Sequence, residues 1–302
     1  MYTPSPSPAQ HTFSALTTLK LEMLDVPRLS DLLQHSKFPS LQSLDCAFSN
    51  PSPNCSHIEI LTLISAIADS CIAATLTRVA IGAVMHRPET SESDSVMSDA
   101  LRPLLRHQNM REFVIRSPWS WDLDNALIVD IARSWNEIEV LILSPNNHWP
   151  SPSRITLVGL EPLALHCPQL AEFGAIIDTS APLVAPDFFN RMPIGGKWSM
   201  SLQTLAVDCS PIDSPAVVAF YLSRMFPNVN VIEAFQSYED EDDAESDYIR
   251  WARVLDILPT MVLARIEERL SQMARAKESA GVPIDPNWHH EVQVQTLSQA
   301  QG

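Results

Sequence analysis

The chain has 302 residues, 45% of them apolar, enough for a sizeable globular core and too many for a disordered segment. Lys and Arg number 20 against 36 Asp and Glu, a formal net charge of −16 with no basic run, which argues against nucleic acid and anionic membranes as partners. Only 7 glycines stand against 24 prolines, so phosphate-cradling loops and nucleophile elbows, which need glycine for close backbone approach, have almost no material.

The opening MYTPSPSPAQHT has no basic stretch followed by an apolar one and does not read as a secretory signal; residues 1–12 are expected to be a disordered leader. A short motif of the form L-x-x-L-x-L then recurs. It reads LTTLKL from Leu16, LQSLDC from Leu41, LTRVAI from Leu76 and MREFVI from Met110. It continues as IEVLIL from Ile138, LAEFGA from Leu170, LQTLAV from Leu202 and VNVIEA from Val229. The intervals are 25, 35, 34, 28, 32, 32 and 27 residues. Alternation of this kind predicts a strand with one buried face.

Helical spacing lies between the motifs. Leu29, Leu32 and Leu33 follow Pro27, and Leu101, Leu104 and Leu105 follow Ser98. Ile128, Ile131 and Trp135 follow Asp124, and Val218, Leu222 and Met225 follow Ser214-Pro215, an N-cap and first-turn pair. Three helical stretches run into a proline just before the next strand, in FPSL, CPQL and FPNV; proline cannot continue a helix and turns the residue before it extended. After Tyr248 the pattern predicts two helices broken near Pro259, the second carrying Leu263, Ile266, Leu270 and Met273, with a stop at Gly281 and Pro283.

Eight strand–helix units predict one α/β domain, a leucine-rich-repeat-like solenoid over residues 13–248. It would be a horseshoe with a parallel sheet on the concave side, closed by C-terminal capping helices at 249–281 and followed by a flexible tail at 282–302. An ordinary parallel α/β domain is the competing arrangement. The asparagine usual three residues after the last repeat leucine is replaced by Leu24, Ser49, Asp178 and Ser210 in four units, so uneven curvature is expected.

No catalytic motif emerges: Gly-x-Ser-x-Gly, His-Glu-x-x-His and the P-loop pattern are all missing. His166-Cys167 pairs a base with a thiol on paper, but a buried structural cysteine is the better reading at a seam between units. His289-His290 lacks a third ligand at useful spacing, so no metal and no cofactor is expected. The five cysteines are scattered, with no Cys-x-x-Cys, which suits a reducing cytosol or nucleus. SESDSVMSD from Ser91 and SYEDEDDAESD from Ser237 read as solvated acidic loops, with Ser93, Ser95 and Ser246 as candidate sites for an acid-directed kinase.

What remains is a binding surface. In L-x-x-L-x-L the leucines face the core and the x positions line the sheet face, which puts Lys20, Asp45, Arg78, Arg111, Glu112, Glu139, Glu172 and Glu233 there. Arg78, Arg111, Glu112 and Glu139 are the charged row expected to meet a protein partner. The loops SPWSWD and SPNNHWP leave two successive strands, so Trp119, Trp121, His148 and Trp149 are expected on one rim as anchors, or else packed over their own repeats.

The units ITLVGLEPLALHCPQLAEF and FPSLQSLDCAF resemble those of fungal F-box proteins with degenerate leucine-rich repeats, over most of Leu16 to about Ala280. In that family an F-box bundle docks a Skp-type adaptor while the repeats bind the protein to be ubiquitinated. The sequence has no LP-x-E-(I/L)-like F-box segment, so the resemblance implies only the recognition half, and a Skp-type adaptor is not expected to bind. A stand-alone repeat scaffold unrelated to ubiquitin and an α/β enzyme without recognisable motifs are the alternatives.

Overall fold

The computed structural model describes residues 10–23, 25–48, 56–83, 96–116, 119, 121–143, 153–180, 199–234 and 246–279. The repeat motifs are the strands of one sheet. They are β2 (Thr18–Met23), β4 (Ser43–Phe48), β5 (Arg78–Ala83), β7 (Glu112–Arg116), β9 (Val140–Leu143), β10 (Glu172–Gly174), β11 (Thr204–Asp208) and β12 (Val231–Ala234). All eight lie in sequence order and every pair is parallel, with no point at which the order reverses.

One backbone device repeats at all seven junctions. The carbonyl of the first x residue accepts two successive N–H groups from the next unit: Thr17 from Gln42 and Ser43, Gln42 from Thr77 and Arg78, and so on to Gln203 from Asn230 and Val231, at 2.7–3.2 Å. This explains why two x residues separate the first two leucines, since the doubled bond takes one residue out of the strict alternation. The turn into the strand also recurs. The leucine-position N–H donates to the carbonyl three residues back at Phe13, Phe38, His107, Trp135, Cys167 and Phe226. Pro39, Pro168 and Pro227 follow three of these residues.

The helices lie on the core side. They are α1 (Val26–Gln34), α2 (His57–Ser70), a 3-10 helix at Ser98–Arg106, α3 (Asn125–Ser134), α4 (Glu161–His166), α5 (Pro215–Met225) and α6 (Asp247–Ser279). Neighbours in this layer pack on one another, α1 on α2, α2 on the 3-10 helix, and α5 on α6. The core rows Leu44–Val79–Phe113–Leu141–Phe173–Leu205 and Cys46–Ile81–Ile115–Leu143 meet Leu29, Leu63, Leu104, Ile128, Leu163 and Leu222 from the helices in one buried cluster. Burying such side chains stabilises each unit by roughly 1.5–3 kcal/mol per residue.

Several expectations change. The long interval between Leu41 and Leu76 holds α2, whose Ser56 and Glu59 form a reciprocal capping box. Ser56→Ala is expected to cost about 1 kcal/mol in denaturant unfolding. Ser98–Arg106 winds as 3-10 rather than α, in keeping with Pro103, which removes an N–H from the interior. Ser214 stands at the N-cap position of α5 without making a side-chain cap bond. The stretch after Tyr248 is one continuous helix, not two. Pro259 sits inside α6 while Trp251, Val254, Leu258, Val262 and Ile266 keep one face buried across it, so packing outweighs the lost hydrogen bond. His11–Thr12, assigned to the leader, is strand β1, paired with β3 (Ser36–Lys37). Residues 282–302, Ser93 and Ser95 lie outside the described residues.

The missing asparagine ladder has substitutes. Ser98 Oγ accepts from Asp124 N–H and donates to the Asp122 carbonyl. Asn125 and Thr156 bond reciprocally, with Gly159 packed so close that a Cβ would land on the Asn125 carboxamide. Ser210 Oγ accepts from Ile177 N–H at 2.8 Å, and Trp251 Nε1 donates to the Ser210 carbonyl. Each stitch ties one unit to the next.

Candidate functional site

Because the core rows face the helices, the alternate residues face away, on the open side of the sheet. Strand register makes these rows continuous. One runs Thr18–Ser43–Arg78–Glu112–Val140–Glu172–Thr204–Val231, the next Lys20–Asp45–Ala80–Val114–Ile142–Gly174–Ala206–Glu233. A third begins Glu22–Ala47–Gly82–Arg116.

Of the charged row, Arg78 and Glu112 lie side by side on this face. Arg78 Nε donates to Glu112 Oε2 at 2.6 Å, while its Nη1 stands 3.8 Å from Asp45, which in turn is 3.9 Å from Lys20. Four neighbouring strands are thus linked by alternating charge. At the strand entrance Arg111 pairs with Glu139 at 3.3 Å and Glu137 at 3.5 Å. Exposed pairs of this kind contribute roughly 0–1 kcal/mol each, so they shape a surface more than they hold the fold. Arg116, exposed on the same face, makes no ion pair among the described residues. Its place was legible from strand alternation, two residues beyond Val114.

The face is not uniform. Ile142, Ile176 and Ala206 are buried although they stand outside the main core cluster. Over β2 to β7, by contrast, Ser43, Asp45, Ala47, Arg78, Ala80, Gly82, Glu112 and Val114 are all half-exposed. A Cβ built on Gly82 meets nothing within 4 Å. The accessible floor is therefore small and apolar at Ala47, Ala80, Gly82 and Val114, with charge around it.

The rim tryptophans need correction. Trp119 is 2% exposed and Trp121 1%, so neither stands on a rim. After β7 the chain returns to the core: β8 (Trp121–Asp122) pairs with β6 (Val96–Met97), and the Trp119 ring meets Phe48 edge-on at 5.8 Å. Two large apolar rings so close to the array are buried for their area. His148 and Trp149 lie outside the described residues. Ser246 is also buried, its hydroxyl accepting from Ile249 N–H at the start of α6.

No arrangement for covalent chemistry comes together among the described residues. Cys167 is buried, its thiol facing the Ala132 and Trp135 carbonyls, and burial pushes its pKa up to about 12, so it stays a protonated thiol. Burial, then the Asp45 charge, pushes Cys46 up to about 12 as well. A groove between α1 and α2 is lined by Leu33, Lys37, Leu61, Ser65 and Asp69, and Lys37 is already engaged with the Asp69 carbonyl. No group of three metal-ligating side chains is found among the described residues, and no described helix is long and apolar enough to cross a membrane.

Sequence alignment by unit also exposes a residue that motif searching missed. His107 takes the place held by Phe38, Trp135, Cys167 and Phe226, and like them it is buried. Among the described residues neither ring nitrogen finds a partner in hydrogen-bond geometry. Burial, then the Arg106 charge, lowers its pKa from the usual value, against weaker opposing pulls from the Ala68 and Ile72 carbonyls.

No protein-family model matches the chain, and no curated protein matches it in sequence.

Proposed function

We propose that the chain is a non-catalytic protein-recognition module, a leucine-rich-repeat-like solenoid curved as a horseshoe with the open sheet face inward. The partner is a protein that lies across β2 to β7. The resemblance to F-box repeats suggests the substrate-recognition part of a ubiquitin-ligase receptor. The observation that carries the reading is the open face: a continuous register of half-exposed alternating charges around the small floor at Ala47, Ala80, Gly82 and Val114. A face that needed only solvation would not require small residues at its centre, whereas a partner approaching the backbone does. A reducing compartment, cytosol or nucleus, belongs to the proposal, and the buried free thiols Cys46, Cys71 and Cys167 support it.

The test is affinity purification of the chain from cells, identification of what it retains by mass spectrometry, and titration of that partner with two variants. Gly82→Val puts a side chain into open space and suits a strand, so stability is expected to stay level or rise by up to about 1 kcal/mol. Arg116→Glu reverses an exposed charge, with a stability change expected within about 0.5 kcal/mol. Both are expected to weaken partner binding at least tenfold, about 1.4 kcal/mol. Unchanged affinity in both variants removes the open face as the site. An adaptor pull-down separates the readings further: retention of a Skp-type adaptor by this chain contradicts the expectation of a recognition half alone.

A further inference from the structure

We propose that Arg116 is the specificity-determining residue of the open face, and that it takes one carboxylate side chain, Asp or Glu, from the protein partner. This rests on the reading of the open face as the partner site. Strand register sets Arg116 directly beside Gly82, one row beyond Ala80 and Val114. A partner seated over Gly82 therefore covers Arg116 too, since neighbouring strands lie only about 5 Å apart. In the chain alone Arg116 is exposed, and water solvates its charge. Under a partner that water leaves, and a guanidinium covered without a counter-charge is strongly disfavoured.

Among the described residues of β2 to β7, the acids on this face are already engaged elsewhere. Glu112 stands four residues back along β7, roughly 13 Å away at about 3.3 Å per residue, and Arg78 holds it at 2.6 Å. Asp45 lies between Lys20 and Arg78, at 3.9 and 3.8 Å. Glu22 ends the same row as Arg116, three strands away, and has a partner of its own. Lys20, Asp45, Arg78 and Glu112 sum to zero charge, which leaves the single positive charge of Arg116 for the partner to match. That count also selects the kind of anion. A phosphate carries nearly two charges and is recognised by arginine clusters, whereas Arg78, the other arginine in these rows, is already paired. A chain-terminal carboxylate is captured by free backbone N–H groups, but β5 and β7 each have a hydrogen-bonded strand on both sides. One guanidinium suits one side-chain carboxylate, held through two parallel N–H donors. The net charge of −16 repels an acidic segment at long range, so the acid is expected singly in an otherwise neutral or basic stretch.

The probe is a phage-displayed library of random short peptides, panned on the full chain with the Gly82→Val chain as counter-target. Peptides retained in this way depend on the open face, and they are expected to share one Asp or Glu. In titrations of the synthetic peptides, changing that acid to its amide, or Arg116→Gln in the chain, is expected to weaken binding about tenfold or more. The two changes together should cost little more than either alone, because they remove the same contact. The Arg116→Glu chain should regain binding to a peptide with lysine in place of the acid, and thermal melts confirm that each variant is folded. Retained peptides that share no acid, or that bind the Arg116→Gln chain equally well, overturn this inference and leave the open face as the partner site. A library from which no peptide prefers the chain over the Gly82→Val counter-target overturns the open-face reading, and this inference with it. A peptide with phosphoserine in place of the acid that binds more tightly overturns the assignment of a single carboxylate.

Discussion

Trp121→Ala and Trp119→Ala are each expected to lower the unfolding free energy by about 3–5 kcal/mol, among the largest effects available to a single substitution in this chain. Both indoles are essentially inaccessible, and both stand where the chain returns from β7 into the core. Removing either leaves a void lined by neighbours that belong to different units, such as Phe48 beside Trp119, so local collapse cannot fill it. Trp119→Phe makes a sharper probe. Among the described residues the buried Trp119 indole N–H meets no acceptor, so phenylalanine keeps most of the ring area and removes an unsatisfied donor. That variant is expected to lose less than half of what alanine loses. Chemical denaturation measures all three, and partner affinity per folded molecule should not change. Loss of affinity in a variant of normal stability would return these residues to the binding surface.

His107 is expected to make the fold sensitive to acid. Its folded pKa lies below its unfolded value near 6.5, because the charged ring would be buried beside Arg106. Above that pH the ring is neutral in both states and its contribution is fully present. As pH falls below about 6.5 the unfolded chain takes up a proton that the folded chain refuses, and stability declines by up to about 1.4 kcal/mol per pH unit until the folded pKa is reached. His107→Phe places in this unit the side chain that Phe38 and Phe226 supply in others. The variant should match or exceed the wild type at pH 8 and lose less between pH 7 and pH 5. Parallel stability curves for the two proteins over that range would show that the ring is protonated without penalty, and the buried assignment would fail.

The uneven visibility of these features in the sequence has physical causes. The strands were legible because a two-residue period with one buried face leaves an apolar residue, most often leucine, isoleucine or phenylalanine, at the same places in every unit, and the doubled N–H bond to Thr17, Gln42, Thr77 and their equivalents demands the same spacing each time. The proline seams at Phe38, Cys167 and Phe226 were legible because the ring restricts its neighbour wherever it occurs. Arg78 and Glu112 could be placed on the open side because each directly precedes a core residue at the start of its strand, whereas Arg111 and Glu139 stand one residue earlier, at the doubled bond where alternation breaks.

Trp119 and Trp121 resisted that logic, because a loop has no period. Whether a tryptophan leaving a strand turns outward or folds back depends on what lies beneath, here Phe48 and the short β6–β8 ladder, which come from other units. His107 hid because a single polar residue in an apolar position looks like surface until the unit alignment and the helix packing place it inside. The continuity of α6 through Pro259 was equally a tertiary matter: a broken backbone bond in an isolated helix ends it, but one face held by Trp251, Val254, Leu258, Val262 and Ile266 keeps the axis running. Local periodicity and ring sterics act within a few residues and are therefore written in the chain, as are the order of the units and the face each strand buries. Which loops close over the core and which half of the open face stays accessible depend on contacts between distant units, and only the assembled sheet and helix layer set them.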